Sequence, residues 1–295
     1  MKKSAVILAV VIGLSACGGS SGSVDTSVPV SVPDTALPAG GDRAVIVATN
    51  SVLQAFVQMV VGDTAEVLTV IPDGKDPHDF EPSAQDVAAL NSADLVVQNG
   101  LDFEHGVEDS IETAEQAGVT VWTLTDHVTL IGEDPHVFTD PLTMAGALDA
   151  LAAAVTALEG VSADVVSARS QLDAAASAAG TSINTLGAGK CRLITDHDAL
   201  AYFAKRFGCT VAGAVIPSFS SAAEASAKDL EAVRMAAGSV KAIFMEEGAP
   251  DAVVRQVADE LGIKLVELRI HALPADGSYV GYVKAIADLI TAALS

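Results

Sequence analysis

Aromatic side chains make up only 4% of this 295-residue chain, too few to build a core around large rings. Alanine is abundant, so the core must be assembled from Val, Leu, Ile and Ala. Basic residues are also scarce, with 16 Lys and Arg against 38 Asp and Glu and a formal net charge of -22. A field of that sign repels polyanions, which argues against nucleic acid or an anionic membrane surface as partner. It suits contact with cations without specifying one. No His-Glu-x-x-His helix is present, so the main metallopeptidase signature is missing, and no Gly-x-Ser-x-Gly elbow appears. Leu186-Gly187-Ala188-Gly189-Lys190 lacks the upstream glycine of a phosphate loop, and Cys191 stands where that loop needs Ser or Thr. It reads instead as a helix stop followed by a strand start. Beyond the N-terminal leader no stretch is long and apolar enough to cross a bilayer.

The leader itself is informative. Met1-Lys2-Lys3 is a short cationic region, and Ala5 to Leu14 is an apolar run too short to span a membrane. It ends in Leu14-Ser15-Ala16-Cys17, small residues before a cysteine, which resembles the bacterial lipobox. The expectation is a lipoprotein signal peptide over 1–16 and a lipidated Cys17 as the first mature residue. An ordinary signal peptide with an accidental cysteine is the alternative. Residues 18–42 are rich in Ser, Gly, Pro and Val with no helical period, so 17–42 reads as a lipid-bearing, flexible tether. The protein is then an exported body attached to the membrane through its N-terminal lipid alone.

From residue 43 onward, apolar runs and amphipathic stretches alternate. Ala44 to Ala48 is a continuous apolar run, the mark of a strand buried on both faces. Strands are also expected at Ala65–Ile71, Ala93–Gln98 and Val119–Leu124, each separated from the next by a helix. From Asp140 to Leu186 the pattern is helical only. Pro141 suits a first helical turn, and Ser162 is the expected cap of a second, long helix. Along that helix Val165, Ala168, Leu172, Ala175, Ala179, Ser182 and Leu186 form a narrow stripe of mostly small residues, so it should lie close against a neighbour along its whole length. Strand and helix then alternate four more times. The predicted fold is α/β, with two lobes that are each a four-stranded parallel sheet flanked by helices. The N-terminal lobe spans 43–140, a helical connector with a long rigid helix spans 141–187, and the C-terminal lobe spans 188–295.

Cys191 and Cys209 each open a predicted strand, and the two strands are consecutive. If adjacent in a parallel sheet, their first residues lie roughly 5 Å apart, within disulfide reach. Export makes oxidation possible; two buried thiols are the alternative.

Four histidines occupy equivalent places. His78 follows the second predicted strand, His136 the fourth, His197 the fifth and His271 the eighth. In open parallel sheets ligands bind beyond the C-terminal strand ends. If the lobes face each other across those ends, the four imidazoles meet around one divalent metal ion. His105 lies in a predicted helix and reads as a surface residue. His127 follows the fourth strand and could reach the cleft. Glu133 and Asp134 precede His136 and either shape the site electrostatically or are surface loop charge.

Asp76-Pro77-His78-Asp79-Phe80-Glu81-Pro82-Ser83, Asp134-Pro135-His136-Val137-Phe138-Thr139-Asp140-Pro141, Thr195-Asp196-His197 with the residues through Gly208, and Ile243-Phe244-Met245-Glu246-Glu247 together resemble one family. It is the zinc/manganese substrate-binding proteins of bacterial ABC importers, the cluster A-I binding proteins. The resemblance runs from about Arg43 to the C-terminus. It implies two α/β lobes joined by a rigid helix, a metal held between them, and histidine ligands at His78, His136 and His197. The family usually places aspartate after the last strand, where this chain has His271. Imidazole in place of carboxylate leaves more of the charge of the ion uncancelled and favours zinc over manganese. Asp276, Glu247 and water are the rivals of His271 for the fourth position.

The expected function is an extracytoplasmic receptor, not an enzyme, that captures Zn²⁺ in the cleft and delivers it to an ABC transporter permease. A Mn²⁺ or Fe²⁺ receptor of the same family is the alternative, and an exported zinc-dependent hydrolase a more distant one. A monomer is expected, held at the extracytoplasmic face of the membrane or in the periplasm.

Overall fold

Eight short strands sort into two sheets in a computed structural model that describes residues 43–238, 240–250 and 252–295. The expected signal peptide, Cys17 and tether lie outside the described residues. In chain order the N-terminal elements are β1 (Val45–Asn50), α1 (Ser51–Val61), β2 (Glu66–Ile71), α2 (Ala84–Asn91), β3 (Leu95–Gln98), α3 (Glu108–Gln116) and β4 (Thr120–Thr123). Three helices follow, α4 (Pro141–Met144), α5 (Leu148–Thr156) and α6 (Val165–Asn184). The C-terminal elements are β5 (Arg192–His197), α7 (Ala201–Phe207), β6 (Thr210–Ile216), α8 (Ala227–Ala237), β7 (Ala242–Glu246), α9 (Ala252–Leu261), β8 (Lys264–Leu268) and α10 (Tyr279–Leu294).

The sheets share one topology, β2-β1-β3-β4 and β6-β5-β7-β8, with every pairing parallel. In each, the chain leaves the first strand to one side and later returns to its other side. That reversal opens a crevice at the C-terminal ends of β1 and β3 in one sheet and of β5 and β7 in the other.

Alternation along the strands sets the layers. Ile46 and Ala48 of β1, Leu95 and Val97 of β3, Leu193 of β5 and Phe244 of β7 join one apolar cluster that also takes in α1, α5, α6 and α10. The opposite faces have cores of their own, with Val47, Val96 and Ile111 in one lobe and Ile194, Val215 and Ile243 in the other. The inner faces of both lobes therefore belong to a single core. Residues of α6 sit at its centre: Ala168, Leu172, Ala175 and Ala179 are fully buried, and the helix packs along α10 and also touches α1, α4, α5 and α7. Small side chains allow that close approach.

The long helix is shorter than the sequence suggests. It has 20 residues, about 30 Å at 1.5 Å per residue. Its cap is Asp164, whose carboxylate accepts from the amide of Ser167 at 2.9 Å, and not Ser162. The preceding helical stretch is interrupted by a 3-10 turn at Ala145–Ala147. The expected helix after β3 likewise starts late: Leu101 to Glu104 form a turn, and His105 sits in a 3-10 turn before α3. His197 is the last residue of β5, not a loop residue beyond it.

Cys191 and Cys209 precede β5 and β6, whose register pairs Arg192 with Thr210. Their sulfurs are bonded, with Cα atoms 4.6 Å apart. Among the described residues no helix is long and apolar enough to cross a membrane.

Candidate metal centre

Each of three histidines is delivered by a different local device. Asp76 opens the 3-10 turn Pro77–Asp79, with Pro77 at its start. The Asp76 carboxylate accepts from the amide of His78 at 3.0 Å, and its other oxygen accepts from the hydroxyl of Ser221 in the opposite lobe. His136 follows Pro135, and one oxygen of Asp134 accepts from both its backbone amide at 2.9 Å and its ring Nδ1 at 2.8 Å. A proton on Nδ1 leaves Nε2 with its lone pair free. His197 ends β5, where Asp196 accepts from the amide of His197 at 2.7 Å and from the amide of Glu246, on β7, at 2.8 Å.

These three imidazoles converge. His78 Nε2 and His197 Nε2 each lie 3.4 Å from His136 Nε2, and all three residues are buried. Phe103 closes one wall, edge-on to His78 with ring centroids 5.0 Å apart and 5.6 Å from His136.

His271 lies beside the triad rather than in it. Its ring centroid is 6.4 Å from that of His78, and its Nε2 is 2.6 Å from Glu246 Oε2. His271 groups with Asp76 and Glu246, while His78, His136 and His197 form their own group. The backbone carbonyl of His271 joins the lobes by accepting from Gly74 N at 3.0 Å. The other oxygen of Glu246, Oε1, lies 3.7 Å from His197 Nε2 and has no hydrogen-bond partner.

Glu246 was not among the residues singled out in the sequence, where the neighbouring Glu247 was named. Glu247 is half exposed and pairs with Arg269 at 2.8 Å. Asp276, the other rival, caps the turn before α10 by accepting from Ser278 N at 3.0 Å. Glu246 shares its strand parity with Ala242 and Phe244, which face the common core, whereas Ile243 and Met245 face the separate core of the C-terminal lobe. Parity is legible in the sequence, but which face meets the common core is not.

The remaining candidates separate cleanly. Asp134 is buried and holds His136, while Glu133 is exposed and lines the mouth of the site. His127 stacks on Trp122 with ring centroids 5.0 Å apart and is exposed. His105 is 73% exposed and pairs with Asp102 at 2.8 Å. A cavity of about 410 Å³ reaches His78 from outside, bordered by Leu101, Asp102, Glu133, Ser218 and Phe219.

Burial dominates the protonation of the first two imidazoles. It holds His136 well below its ordinary range and His78 down at about 3, against an opposing pull from Asp76. Both are therefore neutral and able to donate a lone pair. Burial also disfavours charge on His197, but Glu246 and Asp196 outweigh it and raise the group to about 9. Desolvation lifts Asp134 to about 7.

Comparison with known proteins bears on the family and the fold. The family model for the zinc-uptake complex component A periplasmic protein, ZnuA, matches residues 46–293. The manganese ABC transporter substrate-binding lipoprotein PsaA of Streptococcus anginosus is 25% identical over 327 aligned positions covering all of both chains. The metal ABC transporter substrate-binding lipoprotein FimA of Streptococcus parasanguinis is 32% identical over 158 residues, 47% of this chain and 46% of that one. Among solved structures, the periplasmic zinc-binding protein TroA from Treponema pallidum superposes with a TM-score of 0.73 at 24% identity, covering 86% of this chain and 99% of that one. A ZnuA crystal structure gives 0.70 at 22% identity, covering 86% and 100%. At these identities the structural matches bear on the fold alone, and both neighbours share it.

Proposed function

The chain belongs to the zinc-uptake complex component A family over residues 46–293, and from that membership and the geometry of the site we propose that its cargo is Zn²⁺, bound by His78, His136 and His197. As a family member it is a substrate-binding component of a metal ABC importer that works on the extracytoplasmic side of the membrane with a permease, and it is not an enzyme.

One observation carries the assignment of the ligands. A tetrahedral zinc ion with nitrogen ligands at about 2.0–2.1 Å has ligand-to-ligand edges of about 3.3–3.4 Å. The two Nε2–Nε2 separations of 3.4 Å match that edge. Close imidazole lone pairs repel each other unless a cation or a proton lies between them, and a metal ion meets that requirement for all three rings at once. Imidazole nitrogen donors favour zinc over manganese, which prefers an octahedral shell of oxygens. Relatives named for manganese at 25% identity make Mn²⁺ the competing cargo.

The same proposal includes a lipid on Cys17 and a monomeric body. Support for the lipid comes from the lipobox-like Leu14-Ser15-Ala16-Cys17 and from relatives named as lipoproteins.

Metal content measured by mass spectrometry, after stripping and reloading in an equimolar zinc and manganese mixture, tests the cargo. The expected result is one zinc per chain, with His136→Ala weakening zinc binding at least 100-fold. Preferential loading with manganese, or unchanged zinc affinity in that variant, would sink the assignment.

A further inference from the structure

Three imidazoles leave one tetrahedral position to be filled, and two side chains border it. His271 stands where the sequence pattern expects the fourth ligand. Its Nε2 lies 2.6 Å from Glu246 Oε2, a charge-assisted hydrogen bond that needs a proton on Nε2 when the carboxylate is ionised. A protonated imidazole nitrogen has no lone pair for a metal. Glu246 Oε1 has the opposite character. Its side chain is 0% exposed, this oxygen accepts no hydrogen bond, and it lies 3.7 Å from His197 Nε2. A buried carboxylate oxygen left without a partner is costly, and His197 of the triad lies close to it. Two donors on one zinc ion, with Zn–O and Zn–N bonds of about 2.0–2.2 Å, can lie as far apart as about 4 Å, so Oε1 and His197 Nε2 can serve the same ion.

Building on the histidine triad proposed above, we infer that Glu246 Oε1 is the fourth, anionic ligand, and that His271 is a positioning residue that holds Oε2 and aims Oε1 at the ion. Glu246 is rigidly delivered: its amide is bonded to Asp196, the residue before His197, so the two ligand-bearing strand ends β5 and β7 are fixed to each other. His271 is anchored through its carbonyl to Gly74 and Ser51 of the other lobe. The pair thus restores to the site the negative charge that a carboxylate after β8 would have supplied, from a different strand. It also links ligand geometry to the seam between the lobes, since displacement of His271 frees the carboxylate to swing away.

Zinc-edge X-ray absorption on the full wild-type chain loaded with one equivalent of Zn²⁺ tests the inference without a variant. Multiple scattering should count three imidazoles plus one oxygen donor. Four imidazoles would overturn it and place His271 on the ion. In competition titrations with a chromogenic chelator, Glu246→Gln should weaken zinc binding about 100-fold or more. His271→Gln should weaken it about 10-fold while keeping three imidazoles in the absorption spectrum. A larger loss in His271→Gln than in Glu246→Gln, or wild-type affinity in Glu246→Gln, would also overturn it. Failure of wild type to bind zinc would remove the triad itself, whereas tight wild-type binding with an unchanged Glu246→Gln removes only this ligand. Melting of the zinc-free variants at the wild-type temperature separates loss of a ligand from loss of the fold.

Discussion

At the residue scale, carboxylates decide what the histidines can do. The Asp134 oxygen that accepts from both the amide and the ring of His136 fixes its tautomer, and Asp76 and Asp196 each bond the amide of a neighbouring histidine. Glu104 plays a parallel part for the aromatic wall. Fully buried, it accepts from Thr49 Oγ1, from Asn99 N at 2.7 Å and from Gly100 N at 3.3 Å. It thereby holds the turn that presents Phe103 to His78. Burial raises Glu104 to about 7 despite those donors. The sign of the linkage follows. The folded state holds this proton more tightly than the unfolded state, so the contribution is full below about pH 4.5 and is lost as pH rises toward 7. Chemical denaturation of wild type and Glu104→Gln across pH 4 to 8 should show the wild type losing roughly 3 kcal/mol relative to the variant over that window. A difference independent of pH would mean that Glu104 is already ionised in the folded protein. The histidines were legible in the sequence because each lies at or beyond the C-terminal end of a predicted strand. Glu246 was not read, because choosing it over Glu247 requires knowing which face of β7 meets the shared core.

At the element scale, the recurring device is a short strand that leads, at or beyond its C-terminal end, to a buried histidine, and that is backed by a helix. Strand number and order of elements followed from the alternation of apolar runs. Helix starts did not, because Ser162 and Asp164 both precede the long helix and only geometry shows which one reaches an amide in the first turn. The small-residue stripe of α6 did predict close packing, and the buried Ala168, Ala175 and Ala179 bear this out. Ala175→Leu adds three heavy atoms at a position with no exposure, and overpacking of this kind costs about 1–3 kcal/mol. Urea denaturation should register that loss, while Ala174→Leu, on the exposed side of the same helix, should stay within about 0.5 kcal/mol. Equal effects at the two positions would show that α6 is not packed as described.

At the scale of the whole molecule, the two lobes behave as parts of one core with a site at one end of their seam. Gly74 donates to His271, Leu273 N donates to Asp73, and Tyr279 donates its hydroxyl to the carbonyl of Phe138 at 2.8 Å. Such a seam limits wide opening, so metal release should involve the loops around the mouth more than a hinge between rigid bodies. Gly248 marks the tightest approach: with φ of +91° it lies so close to the other lobe that an added Cβ would stand 2.8 Å from the carbonyl oxygen of Gly74. Gly262, at φ of +64°, has open space at the same place. Both Gly→Ala substitutions cost about 1–2 kcal/mol of left-handed backbone strain. Gly248→Ala should in addition lower zinc affinity by moving Gly74 and its partner His271, whereas Gly262→Ala should leave affinity unchanged. Isothermal titration of the two variants makes the comparison, and equal affinities would mean the seam is not coupled to the site.

The two-lobed α/β plan, the long central helix and the histidines that follow the strands were legible in the chain alone, because periodicity and chain order are local properties. The sequence also placed Cys191 and Cys209 at the starts of neighbouring strands, where the structure joins them. Tertiary structure alone decided which ionisable groups meet across the seam. The pairing of His271 with Glu246 depends on the register of β7 against β8, and the meeting of His197 with His136 depends on the contact between two lobes far apart in sequence. Neither is written in any single stretch of the chain. For that reason the carboxylate that faces the three histidines was not read from the sequence.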